Sequence, residues 1–357
     1  MSHATNSAAN PLSPISAGVI NYNGRECVVD TIRSIMDNGY PVPDVILVDD
    51  CSTDDSVEMV KREFPSVRVF VQPKNMGPNA ARNRILRESR NDFVFITDND
   101  VTLERDCLRL LVDSLVSKEG AGVVTPMVLD SVERDKIYSN GAALHFACFG
   151  MLPLRHERIP EGLDMEPRPS VCGSGGIMLV DKGAALAVGG FDEDFYFGYD
   201  DGEFTYRITA SGRCVIQVPR AKIYHIEKPG RRTDRLRFQI RGRWDFILKN
   251  YAARTLFLLA PALFAFEIAN ASFLLAKGVF SEWTKGLGMI LGNIGHIMEK
   301  RSATLSMKKR PDRELLSSGE IFIFPSRLGG GIVPVIKKVF ESGLDAYFAL
   351  VRPFLSK

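Results

Sequence analysis

Four short apolar runs, separated by segments with helical spacing, constrain the fold more than any other feature of the chain. The runs cover residues 15–22, 45–48, 67–71 and 93–96. Between them, residues 25–38 place Val28, Ile32, Ile35 and Met36 on one side of a helix. A second helix carries Val57 and Val60, with Ser52 or Thr53 predicted as its cap. A third starts at Pro78 and runs through Arg82 and Leu86. Proline suits a first helical turn, where its missing N–H has no partner to lose. Strands without polar alternation are buried on both faces, and amphipathic helices between them supply the cover. The pattern therefore predicts an α/β fold with a mostly parallel sheet flanked by helices.

In such sheets ligands bind beyond the carboxyl ends of the strands. Three of these ends are polar: Asn21-Tyr22-Asn23, Asp49-Asp50 and Asp98-Asn99-Asp100. No G-x-G-x-x-G follows the first strand and no G-x-x-x-x-G-K-[ST] occurs, which disfavours dinucleotide dehydrogenases and P-loop enzymes. Asp98 and Asp100 form a pair of hard oxygen donors suited to Mn²⁺ or Mg²⁺. Asp192-Glu193-Asp194 repeats the spacing but follows Gly-Gly-Phe, not an apolar strand, and is rejected as a metal site. Asp49, nearest its strand end, is favoured for a hydrogen bond to a nucleotide base or ribose; Asp50 reads as turn chemistry. Arg82 suits either a phosphate contact or a structural ion pair. Asp200-Asp201-Gly202-Glu203 crowds carboxylates into one turn, which raises a pKa and suits a general base. Glu203 and Arg207 have the spacing of a structural ion pair. His225, after the run 221–224, is a candidate third metal ligand.

Taken together, the motifs resemble family 2 glycosyltransferases with the GT-A fold. Val48-Asp49-Asp50-Cys51-Ser52-Thr53-Asp54 is similar to their V-D-D-x-S-x-D stretch. Asn75, Gly77, Ala81, Arg82 and Asn83, the D-x-D, Gly189-Gly190-Phe191-Asp192-Glu193 and the acidic helix start follow in that family's order. The resemblance covers about 15–225 and implies inverting, metal-dependent sugar transfer from a nucleotide-diphosphate donor. It implies metal ligands Asp98, Asp100 and His225 and Asp201 as base. Donor contacts fall to Asn21, Tyr22, Asp49, Arg82 and Asp98, and the acceptor side to Gly175, Gly176 and Asp200. The D-D-x-E form of the acidic motif resembles galactofuranosyltransferases. Gln239…Arg243-Trp244 misses the Q-x-x-R-W of processive synthases by one residue.

Charge is unevenly distributed. Residues 228–310 hold 16 Lys or Arg against 5 Asp or Glu, although the whole chain is only +2. Within this segment, residues 255–276 carry one charge, Glu267. Their length permits a membrane span. Pro261, Glu267 and Asn270 favour attachment along the surface instead, with basic residues 231–254 beside it. The competing expectation is a helical subdomain packed on the sheet or on a second subunit. The reading is thus a flexible arm (1–14), a catalytic domain (15–228), a basic and apolar helical membrane-associating region (229–310) and a tail with an amphipathic helix (311–357). Polar residues 1–16 do not read as a signal peptide. Six scattered cysteines without a C-x-x-C pair suggest reduced thiols in a cytosolic setting. The expected partners are the donor, a glycan or lipid-linked acceptor and the inner face of the plasma membrane, with no nucleic acid. Other classes compatible with these features are a sugar nucleotidyltransferase and a non-catalytic nucleotide-sugar-binding protein.

Overall fold

The computed structural model describes residues 13–173, 176–227, 235–321 and 333–355. Its first half alternates strand and helix: β1 (Ile15–Asn21), α1 (Val28–Met36), β2 (Asp44–Asp49), α2 (Ser56–Glu63), β3 (Arg68–Val71), α3 (Pro78–Glu88) and β4 (Phe93–Asp98). Strands β3, β2, β1 and β4 pair in parallel in that order. The apolar runs bury because both sheet faces are covered: β1 and β2 are buried throughout. Helix α2 starts later than the sequence suggested. Its N-cap residue is Asp55, and no side chain caps it. Ser52 instead donates to Asp49 at 2.6 Å and accepts the Asn23 N–H at 2.8 Å, which pins the β2–α2 loop to the β1 end.

The chain continues through β5 (Val101–Leu103), α4 (Cys107–Ser117), β6 (Ala121–Asp130), β7 (Ile137–Ser139), β8 (Ala143–His145), β9 (Gly150–Met151) and β10 (Arg168–Ser170). It then forms β11 (Met178–Asp181), α5 (Lys182–Ala187), α6 (Asp200–Ala210) and β12 (Cys214–His225). The sheet order is β10-β12-β6-β11-β4-β1-β2-β3. Strand β11 runs antiparallel between β4 and β6; β4 pairs in parallel with β1 and β6 with β12, while the edge strand β10 is antiparallel to β12. The short β5 was not visible in the sequence, because the D-x-D looks like a loop start. It pairs antiparallel with β12 and sets His225 opposite Val101, one residue after Asp100.

The C-terminal part is helical: α7 (Leu236–Asn250), α8 (Ala253–Ala276), α9 (Phe280–Leu291), α10 (Ile294–Met307) and α11 (Asp312–Leu315), then β13 (Leu316–Ser317) and α12 (Val333–Val351). Of these, α7, α8, α11, β13 and α12 share one core with residues 142–210, built on Phe146, Tyr206, Phe246, Tyr251, Leu259 and Phe348. Charge pairs reinforce the docking. Asp192 pairs with Lys249 and Lys300, and Asp194 with Lys300 and His296. The rejected second D-x-D is thus a clamp for α7 and α10.

Glu267, the one acidic residue of α8, lies against α7 and α9. Arg243 pairs with it, Trp244 donates at 3.2 Å and Trp283 at 2.6 Å. The Arg-Trp pair of the near-miss motif therefore anchors a helix. Along α8, Phe257, Phe264 and Leu275 stay exposed, as do Leu291, Val335, Val339 and Leu350 on the neighbouring helices.

Candidate active site

The site is built on the carboxyl ends of β1, β2 and β4 and on the start of α6. Asn21 is fully buried and works as a hub. Its amide donates to Asp49 at 2.7 Å and Ser56 at 2.8 Å, and its carbonyl accepts from Asn99 at 2.7 Å. Asp49 accepts from Asn21 and from the Ser52 N–H and hydroxyl, so its carboxylate shapes the β1 and β2 loop ends. Asp50, read from the sequence as local turn chemistry, instead bonds across the fold. It accepts the Met76 and Gly77 N–H groups at 2.7 and 2.8 Å and holds the loop before α3. Tyr22, next to this hub in the chain, is half exposed.

Arg82 is the centre of the electrostatics. It is buried, pairs through Nη1 with Asp200 and Asn79, and places Nη2 3.6 Å from Asp98. The ion pair, one of the two roles left open in the sequence, is present in this structure. Burial pushes the Asp98 carboxyl up to about 7, opposed by Arg82 and assisted by Asp100, Asp200 and Asp201. Its side chain keeps 36% of its surface in water, which limits that push. Asp201 is likewise raised, by burial first and by Asp200 second.

Local backbone geometry aims Asp201. Tyr199, the residue before α6, has φ 65°, an uncommon conformation for a bulky side chain. Gly176 has φ 69° and donates its N–H to Asp201 Oδ2 at 2.9 Å. A Cβ at Gly176 would lie 2.6 Å from Arg82 Nη2 and 3.1 Å from Asp98, so only glycine lets this strand approach. Gly175 lies outside the described residues. Glu203, in contrast, is buried against Arg207 at 2.8 Å, the structural pair that the spacing predicted.

The three proposed metal ligands are close along the fold, but Asp98 turns to Arg82. Among the described residues no group of three His, Cys, Asp or Glu side chains already converges on a metal position. Asp100 and His225 do face each other, with Oδ1 and Nε2 3.5 Å apart. Asp100 Oδ1 and His225 Nδ1 are both buried without a hydrogen bond. Three carboxylates, Asp98, Asp200 and Asp201, act on one guanidinium, and a fourth, Asp100, lies beside Asp98 and His225. That excess of negative charge, with an imidazole beside it, fits a hard divalent cation. Tyr138 was not found by sequence reasoning. It lies in β7, a three-residue strand too short to show periodicity, and its ring packs 4.7 Å from that of His225.

Residues 16–184 match the model described as Glycosyl transferase family 2. This segment belongs to that family. The chain is 24% identical over 203 residues to an N-acetylglucosaminyl-diphospho-decaprenol L-rhamnosyltransferase of Mycobacterium tuberculosis, covering 51% of this chain and 66% of the relative. It is 30% identical over 211 residues to a pre-mycofactocin glycosyltransferase of the same organism, covering 57% and 40%. The matches thus span only part of the relatives' length. The fold is similar to that of GalNAc-T7, solved with UDP, GalNAc and Mn²⁺, with a TM-score of 0.56 at 16% identity over 68% of this chain and 49% of that one. The family match stops at residue 184, so the acidic helix start, β12 and the helical region lie beyond it.

Proposed function

We propose that this protein is a metal-dependent inverting glycosyltransferase that moves a sugar from a nucleotide-diphosphate donor to a hydroxyl of a glycan or lipid-linked glycan. The observation that carries the reading is the meeting of carboxylates from the end of β4 (Asp98) and the start of α6 (Asp200) on buried Arg82. In this reading Tyr22 stacks on the nucleobase, with Asn21 and Asp49 holding the strand ends beneath it. Asp98, Asp100 and His225 would hold Mn²⁺ or Mg²⁺. Such an ion, when bound, neutralises charge on the diphosphate leaving group. Asp201 accepts the proton of the acceptor hydroxyl. The oxygen then bonds to the anomeric carbon from the face opposite the diphosphate, the carbon–oxygen bond to the diphosphate breaks, and the centre inverts. The Gly176 N–H fixes the Asp201 orientation, and Asp200 holds Arg82 in place. A nucleotide sugar accepted as donor raises the melting temperature in the presence of Mn²⁺, because a ligand that binds only the folded state stabilises it. A panel in which no nucleotide sugar shifts the melting curve contradicts the reading.

The same proposal places the protein on an anionic membrane surface. Helix α8 alone among the described helices is long and apolar enough to cross a membrane, with mean hydropathy 1.8 over its best window. Glu267 is neutralised in place by Arg243, and exposed apolar side chains on α8, α9 and α12 support insertion along the surface. The protein should sediment with vesicles rich in phosphatidylglycerol and be partly released by high salt, since screening weakens each basic contact. A protein that stays in the supernatant has its helical region packed for another purpose.

A further inference from the structure

A cleft of about 630 Å³ opens between β8, β9, β10 and β12. Its volume is in the range of small-molecule sites, about 300–1,000 Å³. Asn140 and Gln217 line it, each 1% exposed. Neither the carbonyl nor the amino group of the Asn140 side chain has a hydrogen-bond partner, and Gln217 Nε2 has none. Buried amides left in this condition cost stability, and most proteins avoid them. Gln217 is oriented by its other end, since its Oε1 accepts from Thr125 at 2.7 Å. Arg155, Arg168, Glu157 and Glu320 balance the charge around the cleft, and Leu152 and Leu154 provide apolar wall.

Two routes join this cleft to the chemistry. Arg155 lies over the Tyr138 ring at 4.4 Å, and that ring packs on His225. On the other side Val171, in the wall, accepts from Thr209 at 2.8 Å. Two residues on, the Gly173 N–H donates to Thr205, whose hydroxyl donates to the Asp201 carbonyl. The cleft is therefore fixed to the same helix that carries the proposed base.

From these observations we infer that the cleft lined by Asn140 and Gln217 binds a saccharide unit of the acceptor. The inference deepens the transferase reading and rests on it. Neutral amides with unused donors and acceptors, balanced charges and an apolar wall match a ring bearing hydroxyls on its edges and C–H groups on its faces. They do not match a nucleotide, whose phosphates would call for a net positive lining. An anion is excluded on the same ground.

The test is saturation-transfer NMR with maltose, lactose and chitobiose on the full chain, without donor. At least one disaccharide should receive saturation from the wild type. Asn140→Ala should weaken that binding at least tenfold while the melting temperature stays level or rises, because the change removes two unpaired buried polar atoms. Ala143→Trp, which fills the cleft from β8, should abolish it. If no disaccharide binds the wild type, or if Ala143→Trp leaves binding intact, the assignment is wrong. A fall in melting temperature for Asn140→Ala with binding unchanged makes Asn140 structural and also overturns it. Donor hydrolysis by the wild type is measured separately. Saccharide binding without hydrolysis of any nucleotide sugar would count against the transferase reading and not against the cleft.

Discussion

Asp201→Asn should lower turnover by roughly 10²-fold or more, with donor affinity nearly unchanged. The amide keeps the shape and still accepts the Gly176 N–H, but it no longer takes a proton from the acceptor. Burial and Asp200 raise the Asp201 pKa, which makes the carboxylate a stronger base than an exposed one. The acid limb of the wild-type pH–rate profile should therefore lie above the ordinary carboxylate range. Activity is lost as pH falls through that raised pKa, and the limb should vanish from the residual activity of the variant. Asp200→Asn should be gentler in proton transfer but should loosen Arg82, so its main effect is on donor KM. A dead Asp200 variant beside an active Asp201 variant would move the base one residue upstream. Near-normal turnover in both would reduce the acidic turn to a favourable helix start.

Asp98→Ala and Asp100→Ala should each abolish transfer and weaken Mn²⁺ binding, read directly by calorimetry. His225→Ala should weaken the metal less, since two carboxylates remain. The metal-free protein offers a second readout. Folding raises the Asp98 pKa from 3.8 to about 7, so the folded state holds that proton more tightly than the unfolded one. The associated stabilisation is present below about pH 4 and is lost as pH rises toward 7, with solvent exposure reducing its size. Asp98→Asn should flatten this part of the melting profile. Full activity of the Asp100 variant, or of the wild type in EDTA, would refute the D-x-D assignment.

Much of the site was legible because strand ends announce themselves. A buried apolar run that stops at Asp49-Asp50 or Asp98-Asn99-Asp100 leaves polar groups where a parallel sheet binds ligands, and β2 and β4 end there. The Glu203–Arg207 pair was readable from spacing alone, since residues four apart face each other on a helix. The partners of Asp49 and Arg82 were less legible. They meet Ser52 and Asp200, whose positions depend on loops and on a strand order that the sequence pattern does not encode. His225 was found by its place after an apolar run, but the reason it reaches Asp100 is β5. Three residues of strand after a loop-like motif carry too little periodicity to be recognised. Asn140 and Gln217 gave no signal, because a buried amide is defined by what fails to meet it in three dimensions.

Product analysis tests the central claim most directly. Wild-type protein is incubated with Mn²⁺, the nucleotide sugar that most raises its melting temperature, and an acceptor glycan, and the phosphorus-containing product is identified by ³¹P NMR. The account predicts release of nucleoside diphosphate that stops in EDTA, together with a glycosidic bond of inverted anomeric configuration. Release of pyrophosphate from a nucleoside triphosphate and a sugar phosphate, with no diphosphate from any nucleotide sugar, would contradict it and identify a nucleotidyltransferase.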